Sequence, residues 1–284
     1  MGTFIFSSWV VAGALVANAS STIKQAERLL AEGQLAQAEE QLRPVVEDAA
    51  VRRQDAELHE RALVALGEAV DREARSAEDS ARALLDGGDP RRAASAYEQA
   101  ASIRRGSPYL TLDCLAPFAA AGENPSHLHA FLHRVEATLY NETLARAAFA
   151  WWLAGDEAAT AAVLDLPASH PAVLEPDPVD DLAVRRLAYS ARLAELGAAL
   201  FRQNEFDPAS RAYAAAKSER LAALRGKADD EWAREQLNCA LAEFNARRPA
   251  RAAELLRELQ RTLPRYRPEM VAQELDDALR ATAR

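Results

Sequence analysis

Three histidines and a glutamate in the segment "PSHLHAFLHRVE" are the residues of this chain best placed to hold a metal ion. His129 and His133 are four residues apart, so on a helix they would share one face, with Glu136 on about the same side. Imidazole nitrogens and a carboxylate are typical ligands of divalent metals. Ala130, however, stands where the motif H-E-x-x-H carries its catalytic glutamate. We therefore expect surface or groove histidines without a metal or other cofactor. The alternative function is a metal-binding protein or metalloenzyme using His129 and His133, and a pH-sensing contact is also open, because histidine titrates near neutrality.

Other motifs that carry catalytic chemistry do not occur in the sequence. It has no G-x-S-x-G and no CxxC, and "LLDGGDP" lacks the Lys and Ser/Thr of a phosphate-binding loop. Cys114 and Cys239 have no His or Cys neighbour at the spacing of metal ligands. The acidic residues fall at positions typical of helix caps and solvated helix faces. The sequence therefore predicts a chain that is not an enzyme and has no small-molecule substrate.

Charge is distributed unevenly along the chain. The net charge of −9 argues against nucleic-acid binding, which needs a clustered cationic surface. Residues 247–267 nevertheless contain seven Arg and two Glu. Such a run is typical of a solvated helix face, but it could also dock an acidic partner or lipid headgroups. On the second interpretation Arg247, Arg248 and Arg251 bind the partner, and reversing their charge should weaken its capture without unfolding the chain.

The adjacent residues Trp151 and Trp152 are candidates for a binding contact. On a helix, neighbouring side chains point about 100° apart, so one ring can lie in the core while the other faces a groove. Core packing of both rings is the simpler interpretation. Trp is favoured at the energetic centres of protein interfaces, so Trp152 is a candidate partner-binding residue.

The first 22 residues contain no charged side chain. A helix through them would be about 30 Å long, which is enough to cross the core of a bilayer. Residues 4–16 would also serve as the apolar region of a signal peptide, with Ala17, Asn18 and Ala19 as its cleavage pattern. A single-pass anchor, a cleaved signal and an ordinary buried helix are all open. The first two predict a protein at the membrane, or in the cell envelope or periplasm.

Ala, Leu, Arg and Glu dominate the composition and favour an all-α chain. The segment "LGAALFRQNEFDPASRAYAAAK" indicates how its helices are connected. Its first helix should end at Asn204, a residue that tolerates the left-handed conformation of a helix end. Phe206 should pack back onto the hairpin. Asp207 should cap the second helix, with Pro208 at its first position.

The second helix of this hairpin carries the packing residues. Ala209 and Ala216 are small, which lets the two helices approach closely, and Tyr213 should fill the gap between neighbouring hairpins. The same order of turn residue, small residue and large apolar residue recurs, less regularly in two cases, around four further turns. The five turn residues are Gly33, Gly88, Gly155, Asn204 and Arg247. The pattern is looser at Thr160, where Ala is expected, and at Arg247, where Gly or Asn is usual.

Four residues precede the Asn204 turn at the spacing W-x2-L-G-x2-Y, namely Leu193, Leu196, Gly197 and Leu200. Ala209 and Tyr213 follow it at the spacing A-x3-F. In these features the chain resembles the tetratricopeptide repeat family, whose unit is a helix–turn–helix. The resemblance covers about residues 21–264 and implies a right-handed α-solenoid whose first helices line a groove.

The resemblance suggests four segments along the chain. Residues 1–22 would be an anchor or signal, and 23–166 would be repeats. The Pro-rich residues 167–181 would be a loop, and 182–284 would hold further repeats and a capping helix. The implied function is a non-catalytic scaffold, adaptor or assembly subunit at a membrane or in the cell envelope. It would bind a partner protein through its groove, with Trp152, Tyr213 and the three arginines as candidate contacts.

Overall fold

The computed structural model describes residues 4–48, 51, 55–107, 109–110, 112–166 and 181–283. The prediction of an all-α chain is confirmed, since 84% of the residues are helical and the described part contains no strand. The chain divides into two compact units, one formed by residues up to Thr143 and one that begins at Leu144. The predicted Pro-rich loop, 167–181, lies outside the described residues except for Asp181.

The first unit contains six described α-helices, and each of the first three packs on the next one along the chain. Two of them, α1 and α2, form a hairpin, and the long helix α3 contacts α1, α2, α4 and α6. A 3-10 turn, Leu112–Leu115, and a π-helical stretch, Arg134–Tyr140, interrupt the α-helices. The helices are α1 (Phe4–Ala31), α2 (Leu35–Glu47), α3 (Ala56–Asp86), α4 (Pro90–Gly106), α5 (Ala116–Ala121) and α6 (Ser126–His133).

In the second unit each helix from α9 onward packs on the next one. One apolar core, which includes Tyr213, Trp232 and Leu256, runs through these helices. The helices are α7 (Asn141–Leu153, whose first residues belong to the first unit), α8 (Glu157–Leu164), α9 (Asp181–Arg202), α10 (Phe206–Ala223), α11 (Asp230–Asn245), α12 (Pro249–Thr262) and α13 (Pro268–Thr282).

The five predicted turn residues all adopt the left-handed conformation that ends a helix. They are Gly33, Gly88, Gly155, Asn204 and Arg247, with φ between 62° and 79°. Each N–H bonds the carbonyl three residues earlier, and the next N–H bonds the carbonyl five residues before itself. Gly122 and Arg225 make the same bonds. At the five predicted turns alone, among the described residues, the next helix begins two residues after the left-handed one.

In the second helix of each hairpin, the buried residues lie at fixed distances along the chain from the turn residue. The residue five positions after the turn residue is small and at most 7% exposed in all five cases, and the one nine positions after is a buried Leu or Tyr. These pairs are Ala38 and Leu42, Ala93 and Tyr97, Thr160 and Leu164, Ala209 and Tyr213, and Ala252 and Leu256. The turn and the packing residues are therefore in one register in every hairpin.

The start of α10 differs from the prediction. Asp207 does not cap this helix, because the helix begins one residue earlier, at Phe206, with Glu205 as the N-cap. Pro208 accordingly lies within the first turn and not at its first position. The expected return of Phe206 onto its hairpin is confirmed, since its ring lies edge-on to that of Phe201 with 5.3 Å between centroids. Asp207 instead accepts a hydrogen bond from Arg248.

Gly197 allows α9 and α10 to come close together. A Cβ atom at this position would lie 2.9 Å from Cδ1 and Cε1 of Tyr213, whose ring is fixed in the core. This is nearer than carbon atoms approach without repulsion, so a larger residue must displace the ring or the helix.

We therefore expect Gly197→Ala to lower the free energy of unfolding by about 1–3 kcal/mol, despite the better helix propensity of Ala. Gly106→Ala is the matched control, because Gly106 is also helical and a Cβ there would meet no atom within 4 Å. Urea unfolding followed by circular dichroism measures both. Equal stability of the two variants would contradict the close contact.

A network of charged side chains is buried in the first unit. Arg104 of α4 is 2% exposed, and Asp71 and Glu78 of α3 are 0% and 8% exposed. Arg104 donates from Nε to Asp71 at 2.8 Å and from Nη1 to Glu78 and to the Thr143 hydroxyl. Arg75 also donates to Asp71. These carboxylates were predicted to be caps or solvated residues, and that prediction is wrong for both.

The end of α8 is held by a buried arginine from α9. Arg185 is 0% exposed, and its Nη1 donates to the carbonyls of Val163, Leu164 and Leu166 at 3.1, 3.1 and 2.6 Å. The last carbonyls of a helix have no partner within the helix, and a cation also stabilises the negative end of the helix dipole. Arg185 supplies both the donors and the charge.

The predicted membrane anchor is wrong, and with it the membrane or cell-envelope localisation. In the part of the chain that the structure describes, no helix is long and apolar enough to cross a bilayer. Residues 1–3, and the side chains of 4–17, lie outside the described part. The remainder of α1 carries the exposed charges Lys24 and Arg28 on one side, while Ile23, Ala26 and Leu30 are buried against α2 and α3.

Candidate functional site

The turn between α7 and α8 places Trp152 at the edge of a groove. Gly155 donates to the carbonyl of Trp152 and Asp156 to that of Trp151, both at 3.0 Å, which ends α7 directly after the two tryptophans. Asp156 then caps α8 by accepting from Ala159 N–H at 3.0 Å. Trp152 and Leu153 therefore stand on a hydrogen-bonded corner, and Leu153 is 39% exposed.

Helices α9 and α10 form the rest of this groove, which we call the Trp152 groove. Leu196 and Leu200, four residues apart on one face of α9, line it together with Pro208 and Ala214 of α10. The cavity has a volume of about 640 Å³. All of these residues belong to the second unit. An open apolar surface of this kind is suited to bind a side chain of a partner.

Two charged side chains border the Trp152 groove. Glu157 of α8 and Arg211 of α10 both line it and both are exposed. Within the described part of the chain, neither side chain makes an ion pair or a side-chain hydrogen bond. The groove therefore has an apolar floor with one unpaired charge of each sign at its border.

No protein-family model, curated protein or solved structure matches the chain. The resemblance to tetratricopeptide repeats thus depends on the chain's own turns and packing residues, and it stays a prediction.

The sequence singled out only Trp152 as a binding residue of this groove. Leu196, Leu200 and Pro208 were recognised as parts of the hairpin pattern, not as lining, and Leu153, Glu157 and Arg211 were missed. Leu153 had a weak signal, because it follows Trp152 directly before a turn glycine. Trp151 is also partly exposed, so the expected division into one core and one groove ring is incomplete.

Tyr213 lies in the core and does not face a partner. It is 4% exposed, its ring covers Gly197, and it belongs to the cluster that includes Trp232 and Leu237. Burial, reinforced by the negative charge of Glu235, raises the pKa of its hydroxyl to about 12. The side chain stabilises the hairpins, as expected, but it is not available as a binding residue.

The arginines at 247, 248 and 251 form a weaker basic patch than the sequence suggests. Arg248 donates to Asp207 and Glu243, and Arg251 pairs with Glu254 at 2.8 Å. Arg247 is exposed and, among the described residues, has no side-chain partner. Burial alone would raise the pKa of Glu243, but hydrogen bonds from Arg248 and Ser210, together with the positive charge of the two arginines, outweigh it and lower that pKa. Reversing the charge of Arg248 would therefore disturb internal pairs, so the predicted variants do not test binding alone.

The histidine pair stays an untested metal site. His129 lies on α6 and is partly exposed. The backbone of His133 ends the same helix, but its side chain and that of Glu136 lie outside the described residues. In the described part, no group of three or more His, Cys, Asp or Glu is arranged to hold a metal ion.

Glu235 of α11 is a buried carboxyl group near Tyr213, which lies in the apolar core of the second unit. It is 3% exposed, its Oε1 accepts from Arg234 at 3.2 Å, and its Oε2 has no hydrogen-bond donor in the described part. Burial raises the pKa of Glu235 above its usual value, and the nearby Arg234 only partly opposes this. The charged form is therefore disfavoured in the folded protein.

We expect Glu235→Gln to stabilise the protein by about 1–2 kcal/mol near pH 7 and to change little near pH 4. The raised pKa means that stability from this carboxyl group is complete below its unfolded pKa and is lost as the pH rises through its folded pKa. Thermal unfolding across this pH range measures the difference. Glu195→Gln, at an exposed position of α9, is the control and should show no such trend. A pH-independent effect at 235 would contradict this assignment.

Proposed function

We propose that the chain is a non-catalytic protein-binding scaffold or adaptor whose hairpins are tetratricopeptide-like repeats. Within each unit these hairpins would stack as in a right-handed α-solenoid. In the second unit the Trp152 groove would bind an apolar segment of a partner protein.

Five hairpins in one register support the repeat assignment. Each has a left-handed turn residue, a helix that starts two residues later, and buried residues five and nine positions after the turn. Such a unit cannot bury its apolar face alone, so neighbouring hairpins must pack against it. The packing of successive helices from α9 to α13 is consistent with this arrangement.

The observation that carries the binding function is that Trp152, partly exposed, and Leu153, exposed, line one groove with Leu196 and Leu200. A partner that inserts an apolar side chain here would remove apolar surface from water on both sides. Glu157 and Arg211 would then orient the segment through charges at its border. Large aromatic residues next to a groove are the type most often found at the energetic centres of interfaces.

The test compares two leucines of equal exposure. Leu153 lines the groove and Leu182 does not, and both are 39% exposed. The wild-type chain and each variant are used to capture proteins from the native host. A candidate partner is a protein that the wild-type chain and Leu182→Asp capture, but that Leu153→Asp and Trp152→Ala do not. Calorimetry with each purified candidate should then show at least about a thirtyfold loss of affinity for the two groove variants.

Thermal unfolding of all three variants controls for damage to the fold. The proposal is overturned if folded Leu153→Asp and Trp152→Ala bind every purified candidate as well as Leu182→Asp does. It is also overturned if the two groove variants capture every protein that the wild-type chain captures.

A further inference from the structure

A second groove lies in the first unit, along one face of α3. Glu57, Arg61, Val64 and Glu68 follow one another on this face at steps of three and four residues. Leu30 and Ala31 of α1 and His127 of α6 line its other sides, and the cavity volume is about 510 Å³. Val64, Ala65 and Leu30 make its floor apolar. We call it the α3 groove.

The two arginines of the α3 groove are already engaged. Arg61 pairs with Glu27 at 2.7 Å, and Arg72 donates to the carbonyl of Leu30. The charge of Arg61 is therefore balanced by Glu27. The bond to a neutral carbonyl directs the Arg72 guanidinium to the backbone but leaves its charge unbalanced.

The glutamates are in the opposite situation. Glu57 and Glu68 line the groove from exposed positions, and in the described part neither side chain has a hydrogen-bond or ion-pair partner. Glu60 also lines it, although it is only 8% exposed. One of its oxygens accepts from Leu128 N–H at 2.8 Å, and the other has no partner among the described residues. Within the residues that the structure describes, three carboxylates of α3 without an ion-pair partner, Glu57, Glu60 and Glu68, therefore outnumber the one arginine of the groove whose charge no carboxylate balances, Arg72.

We propose that the α3 groove binds a partner protein segment in which two Lys or Arg side chains flank an apolar one. The apolar side chain would contact Val64, Ala65 and Leu30, and the two cations would pair with Glu57 and Glu68. A segment with a positive charge at each end and an apolar side chain between them is complementary to this groove. An anionic segment is not, because it would meet three carboxylates that have no ion-pair partner in the described part of the chain. This inference concerns a different surface from the Trp152 groove and does not depend on it.

The spacing of the glutamates sets the length of the segment. Glu57 and Glu68 are separated by about 16 Å along the helix axis, at 1.5 Å per residue. An extended segment covers this distance in about five residues, at about 3.3 Å each. The probe is accordingly a fluorescein-labelled peptide of about ten residues, with two lysines about five positions apart and one leucine between them.

Fluorescence anisotropy with the full chain measures binding of this peptide at low ionic strength. Glu57→Gln/Glu68→Gln should weaken the affinity about tenfold. The control, Glu73→Gln/Asp79→Asn, removes the same charge from exposed positions of α3 that do not line the groove, and it should leave the affinity unchanged. A peptide with both lysines replaced by glutamate should not bind, and about 0.5 M salt should abolish binding of the original.

Three results would overturn this inference. The first is no binding of the lysine peptide to the wild-type chain. The second is equal weakening by the groove and control variants, which would indicate general electrostatic attraction. The third is occupation of the groove by a second copy of the chain, seen as self-association in sedimentation that Glu57→Gln/Glu68→Gln removes. None of these measurements involves Trp152 or Leu153, so failure here leaves the proposed scaffold function to its own test.

Discussion

Arg104→Met should lower the free energy of unfolding by about 3–5 kcal/mol, the largest effect that we expect from a single substitution. The change removes the shared donor of Asp71 and Glu78 and leaves two carboxylates in a site where at most 8% of their surface is exposed. Asp71 keeps its bond from Arg75 and Glu78 its bond from the Thr143 hydroxyl, but neither replaces the buried guanidinium that the two carboxylates share. Buried carboxylates with less compensation for their lost hydration destabilise the fold. Urea unfolding followed by circular dichroism gives the difference.

Arg105→Met is the matched control, since Arg105 is the next residue of α4 and is exposed. It should change stability by less than about 0.5 kcal/mol. A second variant separates loss of charge balance from loss of packing. Replacing Asp71, Glu78 and Arg104 together by apolar residues of similar volume should be less destabilising than Arg104→Met alone. If Arg104→Met is no less stable than Arg105→Met, the buried network contributes nothing.

Arg185→Met should be the next most destabilising change, at about 2–4 kcal/mol. Methionine fills most of the volume of arginine but donates no hydrogen bond, so the carbonyls of Val163, Leu164 and Leu166 lose the donor Nη1. Buried carbonyl groups at a helix end have no water to replace it. We expect α8 to fray first, which would appear as faster amide exchange in Glu157–Leu164.

The control for this change is Arg202→Met, in the last turn of α9, the helix that also carries Arg185. Arg202 is exposed and donates to the carbonyl of Ala198 in its own helix. Its replacement should have little effect on stability or on exchange in α8. Unchanged exchange in α8 for Arg185→Met would show that the guanidinium is not needed to hold this helix end.

Turns were the part of the fold that the sequence predicted best. A left-handed residue is a local requirement, and Gly or Asn meets it at four of the five positions. The order of residues after the turn predicted even Arg247, where the residue type gave no signal. The start of α10 was predicted two residues too late, because Asp207 is a typical N-cap residue whereas Glu205, the actual N-cap, is not.

Interactions between distant residues could not be predicted in the same way. Asp71 and Glu78 are seven residues apart, and this spacing is the same on a solvated face and on a buried one. Arg248 and Asp207 are 41 residues apart, so this pairing, which weakens the basic patch, appears only when α10 and α12 are brought together. A single sequence specifies which residues are charged, but not which of them meet.

The candidate groove was predicted only through its aromatic residue. Trp152 is recognisable by its type, whereas Leu196 and Leu200 have the same periodicity as core leucines. The membrane anchor was wrong for a related reason. The prediction gave more weight to the uncharged residues 1–22 than to the residues that follow them in α1. There Ile23, Ala26 and Leu30 have the spacing of one helix face, and this face is buried.

The hydrogen bonds of the five hairpin turns join residues no more than five positions apart. Closing such a short loop costs little chain entropy and takes well under a microsecond to a few microseconds. Each turn can thus form during synthesis, before the next helix has left the ribosome. Folding of the whole chain then consists mainly of packing together helix hairpins whose turns have already formed. A chain truncated between two hairpins should therefore keep the structure of the hairpins that precede the truncation.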